Sequence, residues 1–279
     1  MIQLEKERKL FCEHGKICYE IALFKEAKKK DIKDIMAGKK FAKKFSKENL
    51  EYIWKSDAKI LLRNLPGVDM QLQRNKVVNL KLASKKIDGI IVKPGEEFSF
   101  WNLVGRTRKG YLEGMVVHNG KIGKGIGGGL CQMANMIHWL VLHTPMEVTE
   151  LHHHSDALFP DVKRRVPFGT GTSICYKALD YRFKNTTKYP IQIRVWLDDT
   201  MLYGEIRSTA PLDKKYRIIE EDNHYAPDEN GVYFRNSKVY RIIINKKTKE
   251  EIKRELILEN HSRVMYDYSL IPKEEIRVN

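Results

Sequence analysis

GGGLCQMANMIHWLVLH, residues 127–143, is the stretch on which the fold turns. Leu130, Met133, Ala134, Ile137, Leu140 and Val141 recur three and four residues apart, the spacing of a helix with one apolar face. The flanks read differently. MVVHNGKI (115–122) carries Asn119-Gly120, a dipeptide that favours a two-residue hairpin turn. VTELHHHSDALF (148–159) returns to strand character. A helix opening at Cys131 is thus set between β segments.

Further out the β texture continues. KVVNLKLA (76–83) and DGIIVKPGEEFSF (88–100) suggest short strands and turns, and residues 181–208 suggest two strands around Asp198-Asp199. YRIIINKKTKEEIKRELILENH (240–261) alternates with period 2 on both sides of a polar turn. The expected class is α+β, a mostly antiparallel sheet with a central helix starting at Cys131. Three regions follow: a basic helical N-terminal region (1–62), an α+β domain (63–207) and a β-rich C-terminal extension (208–279).

Charge is concentrated at the N-terminus. The 279 residues carry a formal +15, and residues 1–47 hold 14 Lys/Arg against 7 Asp/Glu. EAKKKDIKDIMAGKKFAKKFSKENL (26–50) looks helical, with Ile32, Ile35, Met36, Phe41 and Phe45 at helical spacing and a break at Gly38. Such a helix either lies on anionic lipid or docks on the protein by that apolar stripe; docking is the expectation. Nucleic acid ranks lower, because no helix-turn-helix, zinc-finger or RNP-like pattern is present. With 42% hydrophobic residues the chain is rich enough for a sizeable core, yet it has no run of eighteen apolar residues and no secretory h-region. Cys12, Cys18, Cys131 and Cys175 form no CxxC pair. Together these features lead to an expected cytoplasmic location with reduced thiols, with peripheral contact to an anionic membrane as the alternative to a docked N-terminal helix.

Cys131 falls in the first turn of the expected helix, where unpaired N–H groups and the helix dipole favour thiolate. Gly127, Gly128 and Gly129 allow positive φ and close approach of a substrate backbone. Cys131, Asn135 and His138 share a stripe beside the apolar face. Gln132 stands next to the cysteine, where an amide supports an oxyanion. Twenty residues on, His152 and His154 face one side if 152–154 is a strand, with Ser155 and Asp156 following. Helix-start cysteine followed by strand histidine is the order of papain-like hydrolases, in which imidazole deprotonates the thiol. Zinc on Cys131, His152 and His154 is a minor alternative, and an inert buried thiol at a structural turn is the plain one. A Walker A loop is excluded because no Gly-Lys-Ser/Thr closes the run, and no cofactor is expected. Glu96 and Glu97 read as surface groups, Cys175 as a packed strand thiol, and Asp180 as a turn contact or an imidazole partner.

The motifs PGEEFSFWNLVG (94–105), GYLEG (110–114), NGKIGKGIGGGLCQ (119–132), LHHHSDALFP (151–160), RVPFGTGTS (165–173) and DYRFKNTTKYPIQI (180–193) resemble the VanW family, and the flanks resemble its short type. The resemblance carries the family motif onto Gly127, Gly128, Gly129, Cys131, Gln132, His152, His154 and Ser155. It implies a setting in the cell wall and glycopeptide resistance. Long, exported members carry Gly-x-Asp-Ala-Thr after the histidines and add peptidoglycan-binding-like and G5 domains. Here Gly169-Thr170-Gly171-Thr172 puts glycine at the aspartate position, and the extra domains are absent. Two functions are open: a cysteine-dependent hydrolase or acyltransferase on a peptide or peptidoglycan precursor, with Cys131 as nucleophile and His154 or His152 as base, or a non-catalytic module binding an anionic precursor or peptide.

Overall fold

A computed structural model describes residues 14–63, 69–118, 121–153, 156–160 and 166–277. Helix α4 (Cys131–Leu142) starts where the sequence predicts it, and all six residues of its apolar face are buried. It packs on a five-stranded sheet ordered β1 (Lys44–Phe45), β3 (Ile90–Val92), β10 (Ile191–Leu197), β11 (Met201–Ser208), β2 (Tyr52–Ile60), antiparallel throughout. Gly204 of β11 makes this contact close: a Cβ there would stand 2.9 Å from Leu140 and 3.0 Å from Met136. Helix α2 (Met70–Ile87) packs on β10 and completes the core with Leu80, Ala83 and Ile87.

Three smaller sheets surround this body. β4 (Glu97–Ser99), β9 (Arg182–Lys184) and β7 (Glu147–Glu150) form one, with β9 in the middle. β5 (Glu113–His118) and β6 (Lys121–Ile126) form the expected hairpin, His118 pairing with Lys121; Asn119 and Gly120 lie outside the described residues. The last is β12 (Lys214–Pro227), β13 (Tyr233–Asn245) and β14 (Glu251–Val264), with β8 (Asp156–Ala157) parallel to β14. Tyr225, Val264 and Ile271 give it a small core of its own. α3 (Phe100–Val104) is a single turn after β4.

Four expectations change. KVVNLKLA is not a strand; it lies inside α2, whose N-cap Asp69 accepts the Gln71 amide at 2.8 Å. Helix α1 (Lys16–Met36) stops before Gly38, which adopts φ +63°. Phe41 and Phe45 beyond it belong to β pairings, Phe45 opposite Ile90, so the N-terminal region contributes β1 and β2 to the central sheet. Residues 151–153 form no strand. Finally, the apolar stripe of α1 is not its docking face: Ile32, Ile35 and Met36 are exposed, while Ala27 and Asp34 are buried.

Candidate functional site

The glycine turn is packed from inside the protein. Gly127 and Gly129 adopt φ +79° and +90°, which L side chains avoid. A Cβ on Gly128 would lie 2.2 Å from the Gly114 carbonyl carbon, and one on Gly129 would lie 2.2 Å from Lys76 Cγ. Thr107 fills the space beside Gly127. Asn79 of α2 ties the turn down: its Nδ2 donates to the Gly128 carbonyl at 2.9 Å, and its Oδ1 accepts the Leu112 amide at 2.8 Å. The glycines therefore let the β5–β6 hairpin, α2 and the start of α4 meet.

Cys131 is the first residue of α4 and is half-buried. Its Sγ stands 4.0 Å from the Ile174 carbonyl. Burial pushes the thiol up from its ordinary value; hydrogen bonds with backbone groups oppose this only partly. Desolvation thus outweighs those hydrogen bonds. Asn135, one turn on, accepts the Thr172 amide at 2.6 Å, so residues 172–174 run along the Cys131–Asn135 stripe. The Ser173 amide in turn donates to the His152 carbonyl at 2.6 Å. One covering segment thus links the cysteine stripe to the histidine run.

The imidazoles are engaged elsewhere. His152 Nε2 lies 3.0 Å from Glu150 Oε1, and His153 Nδ1 lies 3.1 Å from the Gly169 carbonyl. His138 is buried against Tyr181 Oη at 3.2 Å, and desolvation, with His153 nearby, holds it down to about 3. His154 and Ser155 lie outside the described residues. Among those described, no imidazole bonds the Cys131 sulfur, and no His/Cys/Asp/Glu group could hold a metal ion. Gln132 donates to the Ile60 carbonyl at the end of β2, at 2.9 Å.

Two features were not anticipated. One is an ion-pair hub. Glu150 takes Lys30 at 2.5 Å and the Asp180 amide at 2.9 Å. Burial opposes its charge, but Lys30, His152 and that amide hold the carboxyl below its ordinary value. Buried Arg182 joins Asp34, Asp180 and Glu150. Asp180 also accepts Ser99 Oγ and the Trp101 amide, and among the described residues it bonds no imidazole. Glu97 is buried and pairs with Lys39, against its reading as a surface group, and Cys175 is exposed rather than packed.

The other is Lys76, hidden in sequence within a segment that reads as a strand. It is 7% exposed, its stem lies against Gly129, and its Nζ donates to Gln73 Oε1 at 2.7 Å. Desolvation, helped by Arg63, lowers it to about 8. A helical period over 70–87 would have placed Gln73, Lys76, Asn79 and Leu80 on one buried face.

Residues 75–207 match the family model described as VanW like protein. The chain is 33% identical over 228 residues to the vancomycin B-type resistance protein VanW of Enterococcus faecalis, covering 81% of this chain and 82% of that one. It is also 33% identical over 153 residues to the uncharacterized protein YoaR of Bacillus subtilis, covering 54% of this chain and 49% of YoaR. No solved structure matches it. With glycine turn, cysteine and histidine run all inside the matched span, the chain belongs to the VanW family.

Proposed function

We propose that this chain acts in resistance to vancomycin, the role that its Enterococcus relative's name gives that protein, by holding an anionic cell-wall precursor or peptide at the glycine turn. The observation that carries this reading is Lys76. A buried ammonium is costly to desolvate unless an anion faces it. Among the described residues its hydrogen-bond partner is a neutral amide, and Arg63 adds positive potential. A carboxylate or phosphate beside Gly129 supplies the missing charge. Titrating the protein with a UDP-linked muramyl peptide, which offers both a diphosphate and carboxylates, tests this calorimetrically. Lys76→Met keeps the stem against Gly129 and should weaken binding about tenfold or more at neutral pH. Wild-type affinity should fall as pH rises through about 8, where the ammonium is lost. Equal affinities for variant and wild type would overturn the reading.

A second reading keeps Cys131 as the nucleophile of a papain-like hydrolase or acyltransferase, with His154 or His152 as base and Gln132 beside the oxyanion. It is favoured by the position of Cys131 at the start of α4 and by the backbone link to His152. The raised thiol, and the bonds that occupy His152 and Gln132, weigh against it. Alkylation followed residue by residue separates the two. Catalysis requires Cys131 to react before Cys175 and to titrate below about 8.5. A slower Cys131, titrating higher, supports the binding module.

A further inference from the structure

Helix α1 is amphipathic with its faces reversed. The residues turned to the protein are Glu20, Leu23, Ala27, Lys30 and Asp34, at three- and four-residue steps. Three of them hold it by ion pairs: Glu20 to Arg106, Lys30 to Glu150 and Asp34 to Arg182. The other face carries Ile17, Ile21, Phe24, Ile32, Ile35 and Met36, each between 53 and 83% exposed. Most of these lie in one line along the axis, at steps of four and three interrupted at Lys28. An ordinary surface helix buries such a line and exposes its charges.

The flanks of the stripe are cationic. Lys28 and Lys177 place their ammonium groups 5.7 and 5.5 Å from the Phe24 ring. Lys29 and Lys33 line a shallow groove with Ile32, Met36 and Ala37 at its C-terminal end. Lys25 adds another charge on this side, within a chain of net +15. Apolar side chains bordered by lysines along 21 residues, about 30 Å of helix, match a surface that is apolar below and anionic above. A nucleic acid would leave the isoleucines without a partner, and the lysines would repel an identical face.

We propose that this face of α1 seats the protein on an anionic lipid surface, the stripe entering the acyl boundary and the lysines meeting the headgroups. No described helix is long and apolar enough to cross a membrane, so the contact is peripheral. The test is cosedimentation of the full chain with phosphatidylcholine vesicles with and without phosphatidylglycerol. Wild type should bind the anionic vesicles at least tenfold more tightly, and added salt should weaken that binding. The triple variant Ile17→Ser, Phe24→Ser, Ile35→Ser alters exposed positions only and should stay folded by circular dichroism. It should lose tenfold or more in binding, as should Lys25→Gln with Lys28→Gln. Equal binding to neutral vesicles would overturn the proposal, as would a triple variant that binds like wild type. A lipid-free dimer that this variant disperses would assign the face to a second copy instead.

Discussion

At Gly128 the backbone is not left-handed, so its lack of a side chain is purely a matter of space. The obstruction is the Gly114 main chain, at 2.2 to 2.7 Å from a built Cβ, and neither backbone can yield without opening the turn. Gly128→Ala should therefore cost about 3 kcal/mol in urea unfolding, the upper range for overpacking. Gly95→Ala is the control: φ +79° with open space around it, costing about 1 kcal/mol from backbone strain alone. A second prediction at this scale concerns the histidines of α4. Burial depresses His138 to about 3 and, as its largest cause, His143 to about 4. The unfolded chain takes up these protons near pH 6.5 and the folded chain does not, so the stability is complete above that pH and falls as pH drops. Between pH 6.5 and about 4.5 each histidine should remove up to about 1.4 kcal/mol per pH unit. His138→Phe should halve that slope, whatever it does to stability at neutral pH. Of the residues themselves, Cys131 and the α4 face were legible in sequence, because a helix start and a 3.6 period are local properties. That the cysteine is roofed by Ile174 was not, since the contact joins residues 43 apart.

Elements were readable where one periodicity held sway and misread where two competed. α4 and the β5–β6 hairpin carry unmixed signals. In α2, Val77 and Val78 pull a short window towards strand, while the capping Asp69 and the closing Ile87 that settle the helix lie beyond it. Phe41 and Phe45 keep helical spacing by coincidence, past a glycine that had already ended the helix. For α1 the period gave the helix but not its orientation, because its ionic anchors lie 86, 120 and 148 residues away. This reversed docking makes a prediction. Asp34→Ala takes one carboxylate from buried Arg182 but leaves it Asp180 and Glu150. The expected loss is about 1–3 kcal/mol, the cost of a missing charged hydrogen-bond partner. It should fall on α1: amide exchange there should quicken about tenfold or more while α4 keeps its protection. Unchanged exchange in α1 would mean that Ala27 packing, not charge, holds the helix.

Across the whole molecule, the C-terminal sheet is bound to the family domain just before the segment that covers Cys131. Gly169 adopts φ +75°, and a Cβ there would stand 2.0 Å from Asn260 Oδ1 and 2.7 Å from Leu258. Asn260 of β14 donates to the Phe168 carbonyl at 3.0 Å and to Ser237 at 2.9 Å. Phe168 in turn stacks under the Arg235 guanidinium at 4.2 Å. The space beside residue 169 is thus filled by the extension, which sequence alone could not reveal because the two positions are 91 apart. A side chain at residue 169 should therefore break this interface. Gly169→Asp should destabilise the protein by about 3 kcal/mol or more, through overpacking and strained backbone. Asn260→Ala alone should cost about 1–2 kcal/mol for the lost hydrogen bonds. The double variant should be more stable than Gly169→Asp alone, because removing the asparagine vacates the space, and that sign reversal is what a double-mutant cycle reads. Additive losses would mean that residue 169 is constrained by its φ and not by the extension, leaving β12–β14 free of any part in shaping the segment that covers Cys131.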